Sequence, residues 1–139
     1  MWPALERYIK DLVSHFGHDR RVLIWDLYNE PGNSQMGEKS LPLAVAAFRW
    51  AREVRPVQPL TIGAWADFDG RMSRALMQMS DVVSFHGYDG VDGIVNKIQI
   101  CRRHDRPVFC TEWLHRQSGN TFETILPVFA QYGISGYHW

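Results

Sequence analysis

Two apolar stretches of the chain each end in a glutamate. The stretch "LIWDLYNEP" (23–31) carries Glu30, and "PVFCTEWLH" (107–115) carries Glu112. Two carboxyl groups facing one cavity can divide acid and base work, because one can donate a proton while the other stays ionised. Cleavage of a glycosidic bond needs such a pair: an acid for the leaving oxygen, and a carboxylate that attacks or activates water. These two glutamates are the first candidates for chemistry.

Further polar and aromatic residues lie at or just beyond the ends of predicted strands. They are Asn29, Trp65, Asp67, His86, Tyr88, Trp113, His138 and Trp139. Sugar rings present apolar faces that stack on Trp or Tyr, and their hydroxyls need hydrogen-bonding partners such as Asn, His and Tyr. The aromatic content of 13%, with six Trp, suits a flat, partly apolar ligand.

The elements that must position these residues alternate along the chain. Apolar residues at helical spacing predict a first helix that starts near Pro3 and stops at Gly17. Further helices are predicted over 41–54, 70–80, 93–104 and 121–132, the last starting near Thr124 so that Pro127 falls in its first turn. Strands are predicted over 21–28, 59–65, 81–88, 106–113 and 133–139.

Strands that alternate with helices and are apolar on both faces indicate a parallel sheet covered by helices. Two architectures fit: a doubly wound open sheet, or part of a (β/α)₈ barrel. A doubly wound nucleotide-binding domain is disfavoured, because the chain has no GxGxxG or GxxxxGK[ST] phosphate loop. A barrel predicts functional groups at the C-terminal ends of several strands, where they converge on one mouth. The sequence shows that pattern.

Four of these strand ends carry a specific resemblance. The "NEP" of 29–31, the "HGY" of 86–88, the "TEW" of 111–113 and the "GYHW" of 136–139 resemble strands four, six, seven and eight of the clan A (β/α)₈ glycoside hydrolases. The cellulase-like family five and its relatives are the most similar. The resemblance covers essentially the whole chain, and four motifs in the correct order are far more specific than Asn-Glu-Pro alone.

The resemblance implies roles for the polar residues of these motifs. Glu30 would be the general acid/base and Glu112 the nucleophile, while Asn29 would hydrogen-bond the sugar 2-hydroxyl. Tyr88 would hydrogen-bond the nucleophile, and His86 would contact the acid/base or the substrate. The family is retaining, so the two carboxyl groups are expected about 5–5.5 Å apart. No cofactor is implied, and no metal is predicted because no HExxH or Cys/His ligand spacing appears.

The tryptophans and the remaining polar residues have roles of a different kind. By the resemblance, Trp139 would be the stacking platform under the sugar. Trp65 and Trp113 are open between wall packing and sugar stacking. His86 and Tyr88 have a structural alternative as hydrogen-bonded core groups, and Asp26 fits a structural hydrogen bond better than a catalytic contact.

The chain is shorter than a full barrel of about 250 residues. The expectation is therefore that residues 1–139 form the C-terminal part of one catalytic barrel, strands four to eight, which would pair with a missing N-terminal half. The leading hypothesis is a retaining β-glycoside hydrolase acting on β-linked oligo- or polysaccharide. The alternative is a remnant that binds carbohydrate without turnover. No residue distinguishes glucan, mannan and xylan.

Composition limits the other classes of partner. Fifteen basic and fifteen acidic residues give zero net charge, which argues against nucleic acid or an anionic membrane surface as a partner. No apolar segment approaches the length that spans a bilayer. Two cysteines do not make a disulfide framework. No signal peptide is visible, although the resemblance implies an extracellular or periplasmic location.

Overall fold

The structure is a computed structural model, and it describes residues 2–136. Helices and strands alternate along the chain. The helices are Pro3–Phe16 (α1), Leu41–Glu53 (α2), Arg71–Met79 (α3), Val91–Arg102 (α4) and Phe122–Tyr132 (α5). The strands are Trp25–Asp26 (β1), Leu60–Thr61 (β2), Val83–His86 (β3), Val108–Glu112 (β4) and Ser135–Gly136 (β5). Two short 3₁₀ helices, Gly37–Ser40 and Arg116–Ser118, lie in loops that follow β1 and β4.

The strands are parallel and follow one another in chain order. β1 pairs with β2, and β4 lies between β3 and β5. A parallel bridge between Ala64 and Phe85 joins the two groups of strands, so that β3 lies beside the extension of β2. Neighbouring parallel strands that are consecutive in sequence, each followed by a helix, are the repeating units of a (β/α)₈ barrel.

The helices have the predicted positions, with local reasons for their ends. Pro3 occupies the first turn of α1, where its missing N–H costs nothing, and Gly17 follows the last helical residue. Pro42 has the same position in α2. The observed helices agree with the predicted ones to within two residues at each end.

The expectation that Pro127 lies in the first turn of the last helix is wrong. α5 begins at Phe122 and contains Pro127 inside the helix rather than in its first turn. A capping box fixes the earlier start, because the Thr124 hydroxyl accepts a hydrogen bond from the Thr121 backbone N–H at 3.0 Å. Burial of Ile125 and Phe129 holds the helix on the sheet and offsets the hydrogen bond that Pro127 cannot make.

The first two strands are shorter than predicted. Of residues 21–28, only Trp25 and Asp26 pair as strand, and of 59–65 only Leu60 and Thr61 do, with one further bridge at Ala64. Within residues 2–136, β1 has a paired neighbour on one side only. The last predicted strand, 133–139, is described as strand at Ser135–Gly136, and its remainder lies outside the described residues.

Two apolar clusters form the core. The larger one joins β3 and β4 to α4 and α5, and the smaller one joins α1, α2 and α3 to β1 and β2. Cys101 and Cys110 are free and buried in the larger cluster, and burial raises the pKa of each thiol to about 12. Among the described helices, none combines the length and hydropathy needed to cross a membrane.

Candidate active site

A β-bulge at the ends of β3 and β4 determines which side chains face the same cavity. Phe85 pairs with Cys110, but the next pair is His86 with Glu112, because the register shifts by one residue. A regular parallel ladder would place Thr111 beside His86. Since successive side chains of a strand point to opposite faces, the extra residue brings Glu112 onto the face of His86.

His86 lies between the two glutamates. Its Nδ1 is 2.6 Å from Glu30 Oε1 and 3.4 Å from Glu112 Oε2. The hydroxyl of Tyr88 donates a hydrogen bond to the same Glu112 oxygen. The side chain of His86 is 2% exposed, against 11% for Glu30 and 18% for Glu112. The carboxyl groups are thus both reachable from solvent, while the imidazole between them is not.

The imidazole of His86 is fixed from behind by Gly63. A Cβ atom at Gly63 would lie 2.7 Å from His86 Nε2, so only glycine leaves room for the ring. The backbone N–H of His86 donates to the carbonyl of Ala64 at 2.8 Å, which anchors the same residue to the extension of β2. Because Nε2 lies against Gly63, Nδ1 is the ring nitrogen that faces the carboxylates.

Glu30 lies in the loop after β1, with a left-handed backbone at φ 46°. Asn33 supports it, because its side-chain N–H donates to Glu30 Oε2 at 2.5 Å. The indole N–H of Trp65 donates to the carbonyl of Pro31 at 3.2 Å and ties the loop to the end of β2. Beside this contact is a cavity of about 200 Å³ lined by Gly32, Gly37, Glu38, Trp65, Ala66, Asp67, Met72 and Ser73.

Asp26 on β1 is a further carboxyl group within electrostatic range of His86 and Glu112. Desolvation by surrounding protein atoms raises the pKa of Asp26 to about 6. Hydrogen bonds from the backbone of Tyr28 and Gly63, and the charge of His86, act to lower this pKa. The residue also keeps contact with solvent, which limits the electrostatic cost of its charge. The two backbone hydrogen bonds fit the structural role expected of Asp26.

The structure does not bring all of the predicted site residues together. Asn29 precedes Glu30 and is exposed, and Trp65 contacts the Glu30 loop. The sequence leaves Trp113 open between wall packing and sugar stacking, and its contacts fit wall packing. Trp113 is 5% exposed, and its ring packs edge to face against Phe122 and Phe129. Trp139 and His138 lie outside the described residues.

Three contributors were not singled out from the sequence: Asn33, Gly63 and Asn120. Asn33 follows Glu30 by three residues, a spacing within reach of a turn, and that signal was available. Gly63 lies inside a predicted strand, where glycine often marks a bulge or a close approach of another group. Its position in the sequence was therefore also a usable signal. Asn120, in the sequence "SGNT", is indistinguishable from an ordinary turn residue.

The same three side chains could hold a cation. Among the described residues, Glu30, His86 and Glu112 have donor atoms that all lie within 4.8 Å of one another. Carboxylate oxygens and an imidazole nitrogen suit a divalent transition metal. The hydrogen bonds among these groups and Tyr88 already satisfy the same atoms, so the arrangement has a sufficient explanation as an acid–base group.

Several solved structures of glycoside hydrolases resemble this fold. A β-glucuronidase of Faecalibacterium prausnitzii has a TM-score of 0.69 at 14% identity, and a calcium-binding mutant of Bacteroides uniformis beta-glucuronidase 2 has 0.75 at 17%. A family 10 endo-β-1,4-xylanase of Gloeophyllum trabeum has 0.69 at 16%. Each match covers 97% of this chain and, in that order, 28%, 21% and 54% of the other protein.

These similarities confirm the prediction of a partial α/β barrel. A search of curated proteins found no match. The profile described as cellulase (glycosyl hydrolase family 5) matches residues 3–139, which is nearly the entire chain. The chain therefore belongs to glycosyl hydrolase family 5, the cellulase family.

Proposed function

We propose that this chain forms the part of a retaining β-glycoside hydrolase barrel that carries both catalytic carboxyl groups. The observation that supports this most directly is the group of Glu30, His86 and Glu112, whose donor atoms lie within 4.8 Å of one another. Retaining enzymes keep their carboxyl groups about 5–5.5 Å apart, whereas inverting enzymes leave about 6.5–9.5 Å for a water molecule. The short separation favours direct attack by one carboxylate.

In this proposal Glu112 is the nucleophile and Glu30 is the acid/base. Glu112 attacks the anomeric carbon, while Glu30 gives its proton to the glycosidic oxygen as the carbon–oxygen bond breaks and the alcohol leaves. Glu30, now ionised, takes a proton from water, and the resulting hydroxide displaces Glu112 from the anomeric carbon. The sugar leaves with its original configuration and Glu30 is protonated again.

The neighbours of the two glutamates support this division. Tyr88 donates to Glu112 and holds its carboxyl group in one orientation. His86 and Asn33 contact the two oxygens of Glu30, one each. Glu30 therefore has a partner on both oxygens, which fixes its orientation beside Glu112.

The proposed substrate is a β-linked oligo- or polysaccharide. Trp65 is the described aromatic residue that borders a cavity close to Glu30, and it is half-buried, so part of its ring is available for stacking. Asn29 is placed next to Glu30 for a contact with a sugar hydroxyl. Trp139 keeps its proposed role as a platform by the family resemblance.

A second candidate is a carbohydrate-binding remnant without turnover. The observation that favours it is the coverage, since the chain spans 28%, 21% and 54% of the three solved structures described above. In the described part of the sheet, β1 and β5 each pair on one side only. A site that needs residues from other strands would bind sugar poorly oriented for reaction.

Hydrolysis of an activated aryl β-glycoside separates the two candidates. Turnover by the intact chain is expected, with loss in Glu112→Ala and formation of a glycosyl azide when azide occupies the space of the carboxylate. Glu30→Ala is expected to slow hydrolysis about 10²- to 10⁴-fold. The exposed Glu53 serves as control, and Glu53→Ala is expected to retain activity.

One result would count against the hydrolase, and another against its retaining mechanism. Saccharide binding by calorimetry without any turnover would favour the remnant. Turnover with inversion at the anomeric carbon, followed by NMR of the first product, would exclude Glu112 as a nucleophile.

A further inference from the structure

Asn120 links two loops: the one after β3, which carries Tyr88, and the one that directly follows Glu112. Its side chain is fully buried, at 0% exposure, just before the capping box of α5. Its Nδ2 donates to the carbonyls of Gly87 at 2.9 Å and Asp89 at 2.7 Å. Its Oδ1 accepts from the backbone N–H of Leu114 at 2.8 Å. One amide thus uses both donor hydrogens and its acceptor on backbone groups next to the site.

The segment after β3 is held at four consecutive carbonyl groups by side chains from other elements. Lys97 donates to the carbonyl of His86 at 3.2 Å. Asn120 donates to the carbonyls of Gly87 and Asp89, as described above. Ser118 Oγ donates to the carbonyl of Tyr88, between them, at 2.5 Å. A peptide plane cannot rotate without breaking such a bond, so the direction of the Tyr88 side chain is fixed by Asn120 and Ser118.

On the other loop, the same amide fixes the backbone that follows Glu112. Leu114 has a left-handed backbone at φ 82°, an unfavourable conformation for leucine that needs outside support. The hydrogen bond from its N–H to Asn120 supplies that support. Because both loops depend on one side chain, the distance between them depends on it too.

We propose that Asn120 is a positioning residue that sets the hydrogen bond from Tyr88 to Glu112. The inference rests on the proposed function for its catalytic meaning, because only a nucleophile benefits from a fixed donor in this way. It acts through Tyr88 and touches neither glutamate. An error of about 1 Å in such a contact costs about a hundredfold in rate.

Asparagine is the residue type that this position requires. Aspartate has the same shape and could still accept from Leu114, but it has no donor and would place carboxylate oxygens against the carbonyls of Gly87 and Asp89. Alanine would leave the buried carbonyl of Gly87 and the N–H of Leu114 without these partners, at a cost of about 1–3 kcal/mol each. Serine is too short to reach both loops.

The test measures the Tyr88 hydrogen bond directly, without any need for turnover. In the full chain labelled with ¹³C at the tyrosine ring carbon that bears oxygen, Glu112→Gln identifies the Tyr88 signal and gives its position when the partner is no longer a carboxylate. Asn120→Ala and Asn120→Asp are each expected to shift the Tyr88 signal by at least half of the shift produced by Glu112→Gln. Asn96→Asp, an exposed change of the same chemistry on α4, is expected to leave it unchanged.

Ser118→Ala keeps the proposal testable if the Asn120 variants do not fold. Ser118 is exposed, and its loss removes one of the carbonyl contacts, so a smaller shift in the same direction is expected. A Tyr88 signal that stays at its parent position in folded Asn120→Ala, or in Ser118→Ala when no Asn120 variant folds, would overturn the proposal.

The kinetic arm separates the failure of this proposal from that of the proposed function. In turnover-competent protein, Asn120→Ala is expected to lower kcat about tenfold to a hundredfold with a smaller change in KM. If the chain shows no turnover but the Tyr88 signal moves as described, the positioning role stands and the hydrolase assignment fails. If turnover is present and kcat is unchanged in Asn120→Ala, the positioning role fails alone.

Discussion

At the scale of single residues, His86 shows how a buried polar group can be held without a charged partner behind it. Its Nε2 side faces Gly63, and its Nδ1 side faces Glu30 at 2.6 Å. Steric contact on one side and a hydrogen bond on the other leave the ring one orientation. A side chain as large as a methyl group at Gly63 would disturb both contacts.

The change Gly63→Ala is expected to destabilise the protein through His86. Its Cβ would lie 2.7 Å from Nε2, so the ring must move away, and overpacking of this kind costs about 1–3 kcal/mol. Urea unfolding of the parent, Gly63→Ala, His86→Ala and the double variant measures this coupling. In the His86→Ala background the methyl group has room, and the cost of Gly63→Ala is expected to fall by about 1 kcal/mol or more.

An equal cost of Gly63→Ala in both backgrounds would contradict this explanation. It would mean that the glycine is needed for the backbone of β2 and not for the imidazole. The double variant is the internal control, since it contains the same backbone substitution without the ring.

At the scale of elements, α5 contains a proline where a continuous helix would have an N–H. The capping box of Thr121 and Thr124 starts the helix early enough to place Pro127 in its interior. The carbonyl of Glu123 therefore lacks its usual partner four residues later. Pro127 is exposed, so its ring contributes little to the core.

Replacing Pro127 with alanine is expected to stabilise the protein. The change restores a helical hydrogen bond, and proline costs about 3 kcal/mol relative to alanine in a helix interior. Part of that gain is lost because proline also stiffens the unfolded chain, so an increase of about 1–2 kcal/mol in the free energy of unfolding is expected. Denaturant unfolding measures it, and Ala130→Gly on the same exposed face is the opposite control.

A decrease in stability for Pro127→Ala would indicate that the helix is distorted around the proline in a way the core requires. Denaturant unfolding of Thr121→Ala tests the capping box of α5 separately.

Much of this element order was predictable from the sequence, and the site was predictable in part. Helical spacing and proline positions located the helices because these signals are local. The register shift between Phe85 and His86 was not predictable, because a bulge depends on the pairing of two strands that are distant in sequence.

At the scale of the whole molecule, the sheet is held unevenly. β3 is hydrogen-bonded on both sides, to Ala64 and to β4, and each of its residues is buried. β1 pairs through two residues only and on one side in the described part of the chain. The larger apolar cluster packs around β3 and β4, and the smaller one around β1 and β2. Glu30 follows the weakly held strand, and Glu112 is the last residue of a strongly held one.

Hydrogen exchange is therefore expected to divide the sheet into two regions. The amides of Val83 and His86, which donate to Pro107 and Ala64, are expected to exchange at least about tenfold more slowly than those of Trp25 and Leu27, which donate to Pro59 and Thr61. All four bonds are 2.8–3.0 Å long, so length does not explain the difference. Native-state exchange by NMR, corrected by rates in the unfolded chain, gives the comparison. Equal protection would show that the sheet opens as one unit. The expected inequality implies that an added β-strand partner at β1 would slow exchange at Trp25 and Leu27 more than at Val83, and would hold Glu30 more firmly against His86.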